Sequence, residues 1–157
     1  MSLEKFKETK PGDIPLGKLV GLISKSFTYY VNQELKSLEI NETQLSYLIE
    51  IKFHKGINQH EVASNCNIDK GAVARSLRKL EEQGLILRKV DDENRRQNNI
   101  FLTEKGNETL EKSKEILDKW DFEIYEGINQ KDKEKTHEVL KKLVLKSFEM
   151  NQNLKNE

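Results

Sequence analysis

At 157 residues the chain has room for one compact domain, or for two small lobes sharing a core. Charged residues (34%) nearly match hydrophobic ones (35%), which favours burying further surface against a second chain, and 27 basic against 27 acidic residues leave any nucleic-acid affinity to local charge. The single cysteine excludes an intrachain disulfide, and a charged N-terminus with no apolar run of membrane-spanning length makes a cytoplasmic protein the expectation.

Residues 1–13 are polar and read as loose. Pro15 suits the first turn of a helix that runs to about Ser37. Its broad apolar stripe comprises Leu19, Leu22, Ile23, Phe27, Tyr30, Val31, Leu35 and Leu38, widened by Tyr29, as expected of a helix contacted on two sides. Lys25 is the one cation between Leu19 and Val31. It reads either as a snorkelling surface lysine or as an anchor for an anionic ligand.

The run 41–44, Asn-Glu-Thr-Gln, is a capped helix start; Leu45, Leu48, Ile49 and Phe53 are expected to face the core, and Lys55 with Gly56 to end the helix. A second capping box, Asn58 with Glu61, opens a short helix with Val62 and Ala63 inward. The break at 64–67 separates it from the next helix, for which Asp69 is the N-cap. Val73, Leu77 and Leu80 form that helix's apolar face, and Gly84 stops it. The opposite face holds Lys70, Gly71, Ala74, Arg75, Arg78 and Lys79 with no acid among them. Glu81 and Glu82 follow only in the last turn, where they oppose the helix dipole and keep that end off phosphate.

Next comes a hairpin. Leu85, Ile86 and Leu87 read as a strand, Asp91, Asp92, Glu93 and Asn94 as a polar turn, and Ile100, Phe101 and Leu102 as the return. Arg95 and Arg96 sit just past the tip. All the arginines of the chain, Arg75, Arg78, Arg88, Arg95 and Arg96, fall within this one helix and hairpin. A rigid, permanently charged fork of donors suits phosphates and guanine edges, which marks a nucleic-acid contact surface. The competing reading of the hairpin is a surface loop whose arginines pair with the neighbouring acids. Helix, short turn, basic helix and β-hairpin make a winged helix-turn-helix.

After the hairpin Thr103 caps a long helix with a sparse apolar face of Leu110, Leu117, Trp120 and Ile124. Gly127 and Asn129 break it. A final helix carries Val139, Leu140, Leu143, Val144 and Phe148, and the polar tail from Asn151 reads as frayed. Such stripes must be covered, so the first helix and the last two are expected to pack together across a two-fold axis.

From about Asn41 to Gly106 the chain resembles the multiple-antibiotic-resistance-regulator (MarR) family of transcription factors. The resemblance is carried by Asp69-Lys70-Gly71-Ala72-Val73-Ala74-Arg75, by Leu80-Glu81-Glu82-Gln83-Gly84, and most specifically by Asp91-Asp92-Glu93-Asn94-Arg95-Arg96 with Leu102-Thr103-Glu104-Lys105-Gly106. Asn94 stands where the family usually has an Asp that orients the following arginine. The resemblance implies residues 70–79 in a major groove, Arg96 in a minor groove, and a small aromatic or phenolic acid effector between the lobes. Lys25 with Tyr29 or Tyr30 would supply that effector's charge and ring contacts.

His54, His60 and His137 lie far apart, without partners at metal-ligand spacing. Cys66 is alone; it reads as a small buried residue, or as a thiol whose pKa is lowered by Lys70 and a helix N-terminus. No phosphate loop or nucleophile–base–acid set stands out, so neither a cofactor nor an enzyme is expected. The expectation is a mainly α protein with a small β-hairpin wing. Residues 1–37 and 107–157 would form a helical dimerisation region, and residues 38–106 the winged helix-turn-helix. The function expected is a homodimeric, ligand-responsive repressor on an inverted-repeat duplex DNA operator. The alternative is a helical dimeric interaction module that docks another protein through its winged helix.

Overall fold

The computed structural model describes residues 3–90 and 98–156, which divide at Trp120 into two compact units. The N-terminal segment is not loose. It forms α1 (Leu3–Glu8) and one 3-10 turn (Pro11–Asp13), with no buried residue in either. Six residues cannot display an apolar period, so only the structure reveals this helix.

Pro15 is the N-cap of α2 (Leu16–Glu34), whose end tightens into a 3-10 turn (Leu35–Leu38). Only the C-terminal part of its stripe meets the core. Val31 and Leu35 are fully buried and Phe27, Tyr30 and Leu38 pack against them, whereas Leu16, Val20, Leu22 and Ile23 are exposed. Asn32 Oδ1 accepts the Glu42 N–H at 2.8 Å and so ties α2 to α3 (Glu42–Phe53). The capping box is complete: Asn41 Oδ1 accepts from Gln44 N–H and Gln44 Oε1 from Asn41 N–H. One expected core residue is misplaced. The buried side of α3 is Gln44, Leu45, Tyr47, Leu48 and Ile51, while Phe53 is 78% exposed. At about 100° per residue Phe53 points opposite Gln44, whereas Leu48 and Ile51 fall beside it.

The helices α4 (Gln59–Asn65) and α5 (Lys70–Glu82) follow, and then the antiparallel pair β1 (Ile86–Val90) and β2 (Asn98–Leu102), with Ile86 opposite Leu102 and Arg88 opposite Ile100. Asn58 holds α4 with a full capping box, and Val62 and Ala63 are buried, as expected. The segment entering α4 borders β2: Ile57 C=O accepts from Ile100 N–H at 2.9 Å, and Asn58 bridges Asn99. One apolar core therefore joins α2–α5 to the base of the hairpin.

Thr103 caps α6 (Glu104–Ile124) by accepting the Gly106 N–H at 3.0 Å, and its hydroxyl donates to Gly84 C=O at 2.7 Å. α6 meets the core mainly through small residues. Gly106, Thr109 and Ser113 are buried, Leu110 and Leu117 half-buried, and Trp120 lies against Phe27 and Tyr30 with ring centroids 5.6 and 5.2 Å apart. Ile124, expected on the same face, is exposed.

In the second unit Gly127 turns the chain at φ +78°, and Asn129 Oδ1 caps α7 (Gln130–Asn156) through Asp132 N–H. The polar tail is helical, not frayed, through Asn156. Tyr125 stacks on His137 and beneath Lys133. The apolar stripe Val139, Leu140, Leu143, Val144 and Phe148 is exposed throughout, as are Leu145, Met150 and Leu154.

Candidate nucleic-acid interface

α5 is fixed at both ends by its own sequence. Asp69 Oδ1 accepts from Gly71 N–H (2.9 Å) and Ala72 N–H (3.1 Å). At the other end Leu85 N–H reaches Leu80 C=O and Gly84 N–H reaches Glu81 C=O, with Gly84 at φ +72°. These paired bonds are a Schellman stop, and the buried Leu80 and Leu85 supply its hydrophobic contact. Val73, Leu77 and Leu80 are completely buried, so the helix cannot roll. Its opposite side then carries Lys70, Gly71, Arg75, Arg78 and Lys79 exposed, with Ala74 half-exposed. All six expected groove-facing residues of this helix thus share one outward side. Gly71 leaves room beside Arg75, whose Nη1 lies 3.7 Å from where a Cβ would stand.

The arginines fall into two classes. Arg78 pairs with Glu82 at 2.9 Å one turn away, with both side chains mostly exposed. Such a pair contributes only ~0.3–0.5 kcal/mol, so phosphate displaces it readily. Arg88, by contrast, is only 25% exposed: its Nε lies 3.0 Å from Glu81 Oε2, and its Nη1 donates to Gln59 Oε1 at 3.3 Å. It braces the hairpin and does not join the open face of α5. The two acids in the last turn of α5 thus each engage one arginine, which offsets their unfavourable place at that end of the helix dipole. Arg95 and Arg96, with the rest of the expected turn at 91–97, lie outside the described residues.

The expected effector residues converge only in part. Lys25 and Tyr29 lie one turn apart on the outside of α2, Tyr29 being 69% exposed. Tyr30 turns inward against Trp120, and its buried hydroxyl has no hydrogen-bond partner among the described residues. A groove absent from the sequence reading lies between α3 and α6. It holds about 310 Å³ lined by Leu45, Ile49, Phe53, Leu110 and Leu117, with Lys52, Lys114 and Glu111 as its charged residues. Its one legible signal is Phe53, an aromatic on the wrong side of α3 for the core.

Of the two readings of Cys66, the structure favours the unactivated, partly buried thiol. Burial, with Glu50 and Glu42 nearby, pushes its thiol pKa up, against a smaller lowering by a hydrogen bond with Ser46. The Lys70 ammonium and the helix N-terminus do not activate it. Burial raises the neighbouring Tyr47 phenol too.

A short capped helix, a second helix with an exposed basic side and a two-stranded hairpin packed against it define a winged helix-turn-helix protein. Comparison with known proteins narrows this class. The MarR family profile matches residues 40–97. The HTH-type transcriptional regulator BilQ of Clostridium symbiosum is 30% identical over 122 residues, which cover 78% of this chain and 85% of that protein. A crystal structure of MarR superposes with a TM-score of 0.83 at 29% identity, covering 92% of this chain and 99% of that one. A crystal structure of a Staphylococcus aureus MepR–DNA complex gives a TM-score of 0.72 at 25% identity, covering 84% and 96%. The chain belongs to the MarR family of transcriptional regulators.

Proposed function

We propose that this protein binds an inverted-repeat operator as a homodimer and represses transcription from it. The observation that carries the reading is the basic, solvent-facing side of α5, whose one acid, Glu82, comes only in the last turn, immobilised by three fully buried residues on its other side. Lys70, Gly71, Ala74, Arg75, Arg78 and Lys79 would enter a major groove, with small residues where the backbone approaches most closely. Arg95 and Arg96 would extend the contact, Arg96 into the adjacent minor groove. The MepR–DNA complex supports duplex DNA as the partner. Residues 1–37 and 107–157 would form the dimerisation region and 38–106 the DNA-binding domain. The uncovered stripes of α2 and α7 support pairing, and two-fold symmetry then sets half-sites about one helical turn apart. Work on chromosomal operators makes the cytoplasm its location.

Control by a small aromatic or phenolic acid is the regulatory half of the proposal. Lys25 and Tyr29 remain candidate contacts, and the apolar α3–α6 groove supports a place for a ring, with Lys52 and Lys114 outnumbering Glu111 in its lining. An effector there would release DNA only by favouring a conformation with the wrong spacing of reading helices. A calorimetric titration in which salicylate gives no heat would end that half.

The main test is a gel-shift series on Arg75→Ala, Arg78→Ala and Arg96→Ala. Each replacement of a base-reading arginine should cost ~1–3 kcal/mol and relax one operator position. Unchanged binding in all three would remove the assigned surface. The rival docking module binds a protein in place of DNA and leaves all three variants equivalent on DNA.

A further inference from the structure

Arg88 touches three elements at once, and its place on the hairpin gives that contact a consequence. Residues 86, 88 and 90 of β1 share one side of the strand. Along that side Ile86 is 2% exposed, the Arg88 side chain 25%, and Val90 59%. Arg88 is therefore the last side chain of this row, moving toward the tip, that grips the helical body. Below it the hairpin is held by the buried Ile86 and Ile100 and by backbone bonds from Ile100 to Ile57 and from Thr103 to Leu85. These, with the Asn58–Asn99 bridge, hold β2 against the segment entering α4, and beyond Ile86 they leave the α5-facing side of β1 to Arg88. Arg88 reaches from β1 to Glu81 in the last turn of α5 and to Gln59 in the first turn of α4. Its Nε approaches Glu81 without aiming an N–H at the oxygen, so that contact acts through charge, and the directed bond is the one to Gln59.

We infer that Arg88 is a positioning residue for DNA recognition: the Glu81–Arg88–Gln59 bridge sets the tilt of the hairpin against α5. The described strands of the hairpin and α5 then keep one fixed relation as the protein meets the duplex. The inference rests on the DNA-binding reading above and adds a residue that does not itself touch DNA. A planar, half-buried guanidinium suits this task because it is always charged and rigid: one N–H is directed at Gln59 while the charge faces Glu81.

The pair predicts an unusual sign. Taking a carboxylate away from a DNA-binding face ordinarily tightens binding, because phosphate is no longer repelled. If Glu81 acts by holding Arg88, Glu81→Gln loosens the hairpin and weakens binding. The experiment uses the full chain and a duplex selected by it from a randomised pool. Glu81→Gln and Arg88→Gln should each weaken binding about 5- to 10-fold, and the double variant no further, as for two residues of one contact. In an Arg96→Ala background, where the wing has lost its contact, both effects should shrink to less than about twofold. Binding by Glu81→Gln as tight as the parent or tighter would overturn the inference, as would full additivity with Arg96→Ala. If Arg88→Gln fails to fold, the more exposed Glu81→Gln decides the matter alone. Failure of the parent chain to select any duplex would instead sink the DNA-binding reading.

Discussion

Replacing Gly106 by alanine sets two physical effects of opposite sign against each other. Gly106 lies in the first turn of α6, where helix propensity alone favours alanine by ~1 kcal/mol. The packing is prohibitive, however. A Cβ there would stand 2.1 Å from the Leu85 carbonyl oxygen, well inside the 3.0 Å that real Cβ atoms essentially never cross, and 3.3 Å from Leu102 Cδ2. The nearest obstacle is backbone, so no rotamer change relieves it. α6 must lift from the start of the hairpin, and lifting strains the Thr103 hydroxyl bonds to Gly84 C=O and Gly106 N–H. Overpacking of this kind costs ~1–3 kcal/mol, and a weakened N-cap ~1 kcal/mol more. Set against the propensity gain, the net is a loss of about 2 kcal/mol, or roughly 4–8 °C in Tm for a chain of this length. Thermal unfolding followed by circular dichroism, at one fixed protein concentration, reads this directly. A variant as stable as the parent, or more so, would show that α6 does not sit against Leu85 and would refute the packing described.

Two further outcomes follow from the same coordinates. Leu143→Glu places a charge in the uncovered stripe of α7; if the proposed homodimer pairs through that stripe, sedimentation should show it falling to monomer with operator affinity lost alongside, and an unchanged mass would move the proposed interface off α7. Cys66, its thiol pKa raised by burial, stays protonated at pH 7, so iodoacetamide should modify it more slowly than a free thiol. The sign for stability follows: the proton is held more tightly in the folded chain, so this contribution is present below the ordinary thiol range and is lost as pH climbs through the raised value. Alkylation at the free-thiol rate would contradict both statements.

What could be read from the sequence was whatever closes within a few residues. Asn41, Asn58, Asp69 and Thr103 cap helices through bonds to backbone at most three positions away, so residue type and spacing announce them. Gly84 ends α5 for an equally local reason, and the outward side of α5 follows from the period of Val73, Leu77 and Leu80. The misses are long-range. Phe53, one turn beyond Ile49, reads as inward in sequence, but the side of α3 that the fold covers is the one holding Gln44, Leu48 and Ile51. Arg88 looks in sequence like any other member of the arginine run. Its partners Glu81 and Gln59 are brought to it by chain folding, and Gln59 lies 29 residues away. Gly106 reads as a family motif, but the reason for it is a carbonyl 21 residues upstream. The groove between α3 and α6 exists only once those helices are placed side by side.

The salt dependence of operator affinity for the full chain bears most directly on the central claim. If the lysines and arginines of α5 lie on phosphate in both half-sites, the logarithm of affinity falls linearly with that of salt. With six or more phosphate contacts, affinity should drop about 10³-fold or more between about 50 and 200 mM. Arg75→Ala, which removes that side chain from both half-sites, should then lower the slope by about 2 where the arginine is a phosphate contact, or relax one base position in each half-site where it is not. A nearly flat response to salt would contradict the account, because no arrangement of these side chains on a duplex is insensitive to the counterions it displaces.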